Sequence, residues 1–421
     1  MSKTPRSCGL DFGTSNSTLG TVTADGTPRL LPVEAGRPTI PSAIFFNFSS
    51  TEVFYGRHAQ AEYVTGTDGR LMRSLKSILG TQLIEESTRI KKRVLPFIEI
   101  LGMFVAELKR RGEADIGVEL DHVVVGRPVQ FVDDDPAADA KAQAQLESAV
   151  RAQGFHHIEF QFEPIAAALD YERQISREEL GLVIDLGGGT SDFSIVRVSP
   201  ERAKASDRQG DILATSGVHI GGTDFDRLLS MGKVMPELGY QTSTRDGKRP
   251  LPSGPYYDLA TWHRINRLYV PHALVELRQT RREARFPERV EQMISIIAHR
   301  EGHLLASAVE ATKIALTDAE LANVDFAGEE VSLALPVKRV DLADALGNAL
   351  YRIGQTIETT LTLAGLKAPQ IETLILTGGS TQIPAIMARL RALFPDARFV
   401  ATDAFGSVGL GLALDAARKF G

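Results

Sequence analysis

Two stretches far apart in the chain end an apolar run on an aspartate and then turn through glycine into hydroxyl residues. They are Gly9-Leu10-Asp11-Phe12-Gly13-Thr14-Ser15-Asn16-Ser17-Thr18 and Val183-Ile184-Asp185-Leu186-Gly187-Gly188-Gly189-Thr190-Ser191-Asp192. Glycine lets backbone N–H groups approach an anion closely, and successive N–H groups form an anion-binding concavity. Hydroxyls add donors without adding charge. The aspartates cannot be phosphate ligands, because like charges repel. They suit a hydrated Mg²⁺ that the phosphates also bind, since Mg²⁺ keeps several waters and takes few carboxylates. A third strand-to-glycine unit, Leu374-Ile375-Leu376-Thr377-Gly378-Gly379-Ser380, follows much later. One Asp-x-Gly is most often a strand-ending turn. Two matched copies predict two related lobes gripping one phosphate chain from opposite sides. A G-x-x-x-x-G-K-[ST] run is absent, and no G-x-G-x-x-G follows a strand, so P-loop and dinucleotide folds are disfavoured.

These loops need strands behind them and helices beside them. Thr18 to Thr23 reads as a strand running into an Asp25-Gly26 hairpin, and Ala43 to Phe48 as another strand. Leu71, Leu75, Ile78 and Leu79 fall on one helical face. A long helix is expected from Val94 to Arg111, ending on basic residues before Gly112. Strand follows at His122 to Gly126. A helix then starts near Asp133-Asp134-Asp135-Pro136 and runs to Gly154, with acids and proline in its first turn. Phe160-Gln161-Phe162 leads into Glu163-Pro164 and a helix from Ile165 to Gln174. From Met231 to about Pro336 strands are few and helical segments several. The last helix is expected from Phe405 to Phe420. Alternating strands and helices mean α/β layers.

Composition sets the frame. The 421 residues are 43% hydrophobic and 24% charged, ordinary for two or more packed domains. A formal net charge of −6 argues against a dedicated nucleic-acid surface. No apolar run approaches a bilayer span, and the first residues carry no signal-peptide core, so a cytoplasmic location is the default expectation. The single cysteine, Cys8, is expected in a buried strand.

Taken in order, LDFGTSNS, GRP, FEPIAAALDY, IDLGGGTSDF, HIGGTDFD and LTGGSTQIP resemble the ATPase domain of DnaK-type heat-shock chaperones, in the actin and sugar-kinase superfamily. The GRP and FQFEP variants resemble the shortened YegD-like bacterial branch. The likeness covers nearly the whole chain and is weakest between about 232 and 305. It implies an α/β, actin-like ATPase fold: two lobes, each a ribonuclease-H-like core with a smaller inserted subdomain, and a deep nucleotide cleft between them. The implied first core is 1–37 with 118–180 and 400–421, carrying the insert 38–117. The second is 181–231 with 337–399, carrying a divergent, mostly helical insert, 232–336.

The same resemblance implies roles. Asp11 and Asp185 would hold Mg²⁺ through water, and Lys76 would reach the γ-phosphate and the attacking water. Glu163 would stand near both, and Thr190 would join the catalytic set, with Asp192 supporting its loop. Gly13, Thr14, Ser15 and Asn16 would wrap the phosphates from the first lobe, and Gly187, Gly188, Gly189 and Thr190 from the second. Gly221, Gly222 and Asp224 would set a helix N-terminus near the nucleotide. Glu310, Lys313 and Thr317 share a helical face that would grip ribose and adenine. Gly378, Gly379 and Ser380 would close over the nucleoside, with Asp403 nearby. The family's two adenine-stacking arginines are replaced by Ile314 and Gln382, which would weaken or relax base recognition.

The expected function is a Mg²⁺-dependent, slow ATPase and nucleotide-dependent switch, chaperone-like but without a peptide-binding domain, since the sequence ends about sixteen residues past Phe405. ATP or ADP and Mg²⁺ are the expected cofactors. The chain is expected to be a monomer with no nucleic-acid or membrane partner; a protein client or co-factor could dock on 232–305. A small-molecule kinase of the same superfamily and a non-catalytic nucleotide sensor are the alternatives. His299 and His303, spaced for zinc on one helix, lack a third ligand. Arg278, Arg281, Arg282 and Arg285 share a helix side that is solvated by default. His156-His157 reads as a surface pair, and Trp262, Tyr256, Tyr257 and Tyr269 as an aromatic packing cluster.

Overall fold

The computed structural model describes residues 6–132, 135–205, 207–401 and 406–421. Two mixed sheets organise them. The first runs His157–Phe162, His122–Arg127, Ser7–Phe12, Asn16–Val22, Pro28–Leu30, with Thr39–Pro41 also paired to Asn16–Val22. The second runs Ile212–Val218, Ser191–Val198, Glu179–Leu186, Thr373–Thr377, Arg398–Ala401. In each, the strand that carries the aspartate pairs antiparallel with its successor and parallel with a later strand. Asp11 stands opposite Thr18, and Asp185 opposite Asp192. The loop duplication seen in the sequence is thus a duplication of topology. Leu182, Ile184 and Leu186 are fully buried, as are Val123 to Val125, because both sheet faces are covered by other elements.

Helices Glu163–Glu172 and Ser407–Phe420 pack on each other and bridge the sheets, sharing one apolar cluster with Val124, Val183, Val196 and Ile375. Glycines permit this approach. A Cβ on Gly9 would lie 2.3 Å from the Ala413 amide nitrogen, and one on Gly411 would lie 1.8 Å from the Ala166 carbonyl oxygen. Behind them the buried Arg208 guanidinium forks onto Glu172 (2.7 and 2.9 Å), and Arg418 donates to the Ala203 carbonyl. These contacts tie the two sheets together at their base.

Several expected elements differ. Leu71 lies in a strand, Gly69–Arg73, not on a helix, and Leu75–Ile78 is a single 3₁₀ turn. The long helix spans Phe97–Ile116 and ends at Gly117, whose φ of 73° supplies the left-handed cap. Gly112 sits inside it, where a Cβ would strike Leu19 at 2.3 Å. The basic residues before Gly112 therefore mark a packing contact rather than a stop. The helix expected near Asp133 is described from Pro136 to Arg151, with the Asp135 carboxylate accepting from the Ala137 and Ala138 amides; Asp133 and Asp134 lie outside the described residues. The final helix is Ser407–Phe420, and Phe405 also lies outside.

The stretch beyond Met231 holds helices Gly254–Ala260, Pro271–Glu283, Pro287–Ala298 and Gly302–Asp318. It then forms a hairpin, Leu321–Ala327 with Ser332–Lys338, that buries Val324, Phe326 and Val337. No helix among the described residues is long and apolar enough to cross a membrane.

Candidate nucleotide site

The two glycine loops meet. A Cβ on Gly188 would lie 2.0 Å from the Ser15 hydroxyl, so the hairpin turn of one sheet touches that of the other only because residue 188 has no side chain. Among the described residues, the amides of Thr14, Ser15, Gly188 and Gly189 donate no hydrogen bond to the chain. They are free for an anion. The second loop is braced from behind: the Gly222 amide donates to the Gly187 carbonyl (2.9 Å), and the Thr223 amide and hydroxyl both donate to the Gly188 carbonyl (2.8 Å each). Gly221 precedes helix Gly222–Leu229, and a Cβ there would lie 2.5 Å from the Gly189 nitrogen. The third unit joins as well. Gly378, at φ 81°, comes close enough that a Cβ would lie 2.8 Å from an Asp185 carboxylate oxygen.

Charge converges on the same place. Glu163, the first residue of its helix, takes an ion pair from Lys76, and both are nearly buried. Ser74, in the left-handed region at φ 59°, turns the chain out of strand Gly69–Arg73 and into the turn that carries Lys76. Its carbonyl accepts from the Ser77 amide (3.0 Å) and hydroxyl (2.8 Å). Burial, then the Glu163 carboxylate, push Asp11 up to about 7, with Lys76 opposing. Burial, then Asp192, Glu163 and Asp11, push Asp185 up to about 8. Burial works against the Lys76 ammonium, but Glu163 and Asp11 hold it above the ordinary lysine range. Asp192 accepts from the Thr190 hydroxyl at 3.0 Å.

Four carboxylates around one lysine leave the crevice short of positive charge. A divalent cation would relieve it. No three His, Cys, Asp or Glu side chains form a metal-holding group among the described residues. Asp11 and Asp185, one carboxylate from each loop and close enough to act on each other, fit an ion that takes few carboxylates and keeps most of its own water, as Mg²⁺ does.

The expected nucleoside side is partly assembled. Lys313 is buried on helix Gly302–Asp318, where its ammonium donates to the Gly222 carbonyl (3.1 Å) and pairs with Asp226 (2.8 Å). A Cβ on Gly222 would lie 3.1 Å from the Ser380 hydroxyl and 3.6 Å from Lys313, so these three elements share one wall. Gly379 and Ser380 form a 3₁₀ turn with Thr381 and Gln382. Glu310 is exposed at the cavity rim, and the Thr317 carbonyl accepts from Arg339. Ile314 is 59% exposed and Gln382 is also exposed, so neither is committed to packing. Asp403 lies outside the described residues.

The sequence reading missed a contact between the two inserts. Arg73 lies over the Trp262 ring at 4.9 Å. The Tyr63 hydroxyl pairs with the Asn266 side-chain amide (2.7 to 3.0 Å), and its ring meets that of His303 edge-on at 4.6 Å. His303 in turn reaches the Trp262 carbonyl (3.1 Å). Burial, with Arg73 nearby, pulls His303 down to about 4, so it stays neutral at ordinary pH. Arg73, Thr223, Asp226, Trp262 and Glu310 line a cavity below this contact. Spacing offered no signal, because the partners come from distant segments.

The zinc spacing is dissolved by the same arrangement. His299 follows helix Pro287–Ala298, Arg300 sits at φ 58°, and a new helix starts at Gly302, so the two histidines do not share a helix. The aromatic cluster also divides: Tyr256 packs on Tyr240, while Trp262 and Tyr269 surround His303. His157 stacks on His122 across neighbouring strands at 4.1 Å.

Two sheets of matching topology, bridged by two helices and meeting through paired glycine loops, define an actin-like ATPase fold. The family model described as "Hsp70 protein" matches residues 7–235 and 293–419. The chain belongs to the Hsp70 family. It is similar to the chaperone protein DnaK of Thermosipho melanesiensis, 27% identical over 416 residues that cover 97% of this chain and 58% of the relative. The chaperone protein HscA of Klebsiella pneumoniae is 27% identical over 432 residues, with 97% and 57% covered. DnaK of Thermotoga maritima is 27% identical over 414 residues, with 97% and 59% covered. The chain thus spans somewhat more than half the length of the curated relatives it matches.

Proposed function

We propose that this chain binds ATP with Mg²⁺ between its two glycine loops, hydrolyses it slowly and changes its lobe closure with the nucleotide state. The observation that carries this reading is the contact of Ser15 with Gly188 beside Asp11, Asp185, Glu163 and Lys76. Free amides from both loops are placed to hold a triphosphate. Asp11 and Asp185 would hold the hydrated ion, which would supply charge neutralisation for the phosphates. Lys76 would meet the charge that develops on the transferred phosphoryl group, and Glu163 would orient the attacking water; their buried ion pair at the crevice supports these roles. Thr190 donates its hydroxyl to Asp192 (3.0 Å), a contact that would hold the second loop in shape around the phosphates. Little covalent chemistry is asked of the protein, so positioning dominates. Only ATP offers a γ-phosphate to both loops at once, which is why closure should differ between ATP and ADP. We take the lobes to be 1–37, 118–180 and 400–421, with insert 38–117, and 181–231 and 337–399, with insert 232–336.

The test is a thermal-shift panel with ATP, ADP and GTP, each with and without Mg²⁺. Ligand at about a thousand times its dissociation constant stabilises by about 4 kcal/mol, easily seen. Absence of any nucleotide-dependent shift would remove the proposal. A GTP shift close to that of ATP is expected, because Ile314 and Gln382 offer no stacking guanidinium.

Transfer to a small acceptor is a second reading, favoured by the cavity that holds Asp226 beside Thr223 and Arg73. Burial pushes Asp226 up to about 6, against Lys313, which suits a general base. ATP turnover with sugar and polyol panels separates the two. Stimulation of about a hundredfold by one compound, the usual scale of general-base assistance, would favour transfer.

A further inference from the structure

We infer that Arg73 of the first insert, facing Glu310 of the second, reads the ribose hydroxyls of the bound nucleotide from across the cleft, an inference that rests on the ATP reading above. Arg73 ends strand Gly69–Arg73, and Ser74 then turns the chain toward Lys76. The guanidinium lies over the Trp262 ring at 4.9 Å. Stacking uses the flat face of a guanidinium and leaves its in-plane N–H donors unspent. Among the described residues the Arg73 side chain makes no hydrogen bond and no ion pair, and none of its nitrogens is sealed from open space.

The cavity that Arg73 lines with Thr223, Asp226, Trp262 and Glu310 has two distinct ends. At one, Thr223 donates its amide and hydroxyl to the Gly188 carbonyl (2.8 Å each), so this end abuts the second phosphate loop. At the other, Asp226 pairs with Lys313 (2.8 Å), which donates to the Gly222 carbonyl and precedes Ile314 on the expected nucleoside wall. The sugar is the part of a nucleotide that joins phosphate to base. A cavity between a phosphate loop and a nucleoside wall is therefore where the sugar belongs.

The charges around the cavity select the same group. Burial draws Arg73 below the ordinary arginine range, and Glu310, then Asp226, oppose it. Glu310 thus faces Arg73 closely enough to act on it, yet the two do not pair, and among the described residues the Glu310 carboxylate has no other partner. A small anion would be repelled by the two carboxylates and a small cation by the guanidinium. A hydroxyl can accept from the guanidinium and donate to the carboxylate at once, and bonds to charged groups are the stronger ones. Ribose is common to ATP and GTP. Its recognition would hold either nucleotide where Ile314 and Gln382 supply no stacking cation.

The test is a melting titration of the intact chain in Mg²⁺ with ATP, 2′-deoxy-ATP and 3′-deoxy-ATP, which yields three dissociation constants. At least one deoxy nucleotide should bind about tenfold more weakly than ATP, the scale of one hydrogen bond to a charged group. Arg73→Met keeps an apolar stem on Trp262 and removes the donors, so it should cut that discrimination to about threefold or less. Tyr63→Phe removes a hydroxyl of the same insert contact outside the cavity and should leave the discrimination within about twofold of native. Equal binding of all three nucleotides by the native chain, or discrimination that survives Arg73→Met, would overturn the assignment while nucleotide binding stands. So would an equal weakening of all three by Arg73→Met, which would mean that Arg73 only braces the inserts. Absence of any shift with ATP would remove the nucleotide reading and this assignment together.

Discussion

Lys76 and Asp185 carry opposite loads in the crevice, and their substitutions should separate binding from chemistry. Lys76→Ala removes the one ammonium between Asp11, Asp185 and Glu163. Hydrolysis should fall by about two to three orders of magnitude, the usual loss for one transition-state donor. The ATP-dependent thermal shift should survive, since the loop amides remain. Unchanged turnover would exclude Lys76 from the reaction. Asp185 is different, because in the folded protein its carboxyl sits at about 8, far above its unfolded value. A raised carboxyl binds a proton more tightly when folded, so its contribution is present below about pH 4 and lost as pH rises through 8. Nucleotide-free protein should therefore melt at progressively lower temperature across that window. Asp185→Asn should flatten the decline and raise the melting temperature at pH 8, while abolishing the Mg²⁺-dependent part of the ATP shift. A steeper decline in Asp185→Asn would refute the charge argument.

At the scale of elements, the strand-to-glycine units were legible because they depend on local chemistry alone. An apolar run buried on both faces, an aspartate at its end and a glycine turn are written in consecutive residues. The helix from Glu163 was legible for the same reason, through proline in its first turn. What could not be read was decided by contacts from afar. Gly112 looks like a helix end but is a notch for Leu19, and the residues around Lys76 have helical spacing but are held in a strand and a turn. The hairpin Leu321–Ala327 and Ser332–Lys338 did leave a signal, alternating burial about a Gly328 turn, which a period-two scan would find. Ser74 shows how far one turn matters. Its left-handed backbone aims Lys76, so Ser74→Gly should be tolerated. Ser74→Val should be less stable than Ser74→Gly by about 1–2 kcal/mol, the penalty for a Cβ in that region, to which β-branching adds, and should slow turnover. Urea melts with parallel kinetics check both; equal behaviour of the two variants would deny Ser74 that role.

For the whole molecule, the lobes are fixed at the base and touch again at the top. The base holds a fully buried Arg208–Glu172 pair, in which burial raises the Glu172 carboxyl and Arg208 opposes it. Arg208→Ala should destabilise by about 3–5 kcal/mol, because Glu172 would be left a buried charge with the Ser199 amide but no counter-ion. Joint replacement of both by apolar residues should recover much of that loss, and denaturant melts would show whether it does. A loss from Arg208→Ala within ordinary surface-mutation scatter would mean the pair is hydrated. The top contact is smaller and made of side chains alone, so under the proposed nucleotide-dependent closure it would be the part that separates and reforms.

That upper contact contains the chain's sole tryptophan. Trp262 has the Arg73 guanidinium of the other insert on its face and the imidazole of its own insert's His303 at its edge, and parting the inserts would exchange the guanidinium for solvent. Its emission should shift whenever ATP replaces ADP, with no added dye. The protein carries its own optical gauge, and stopped-flow traces from the native chain would time each opening.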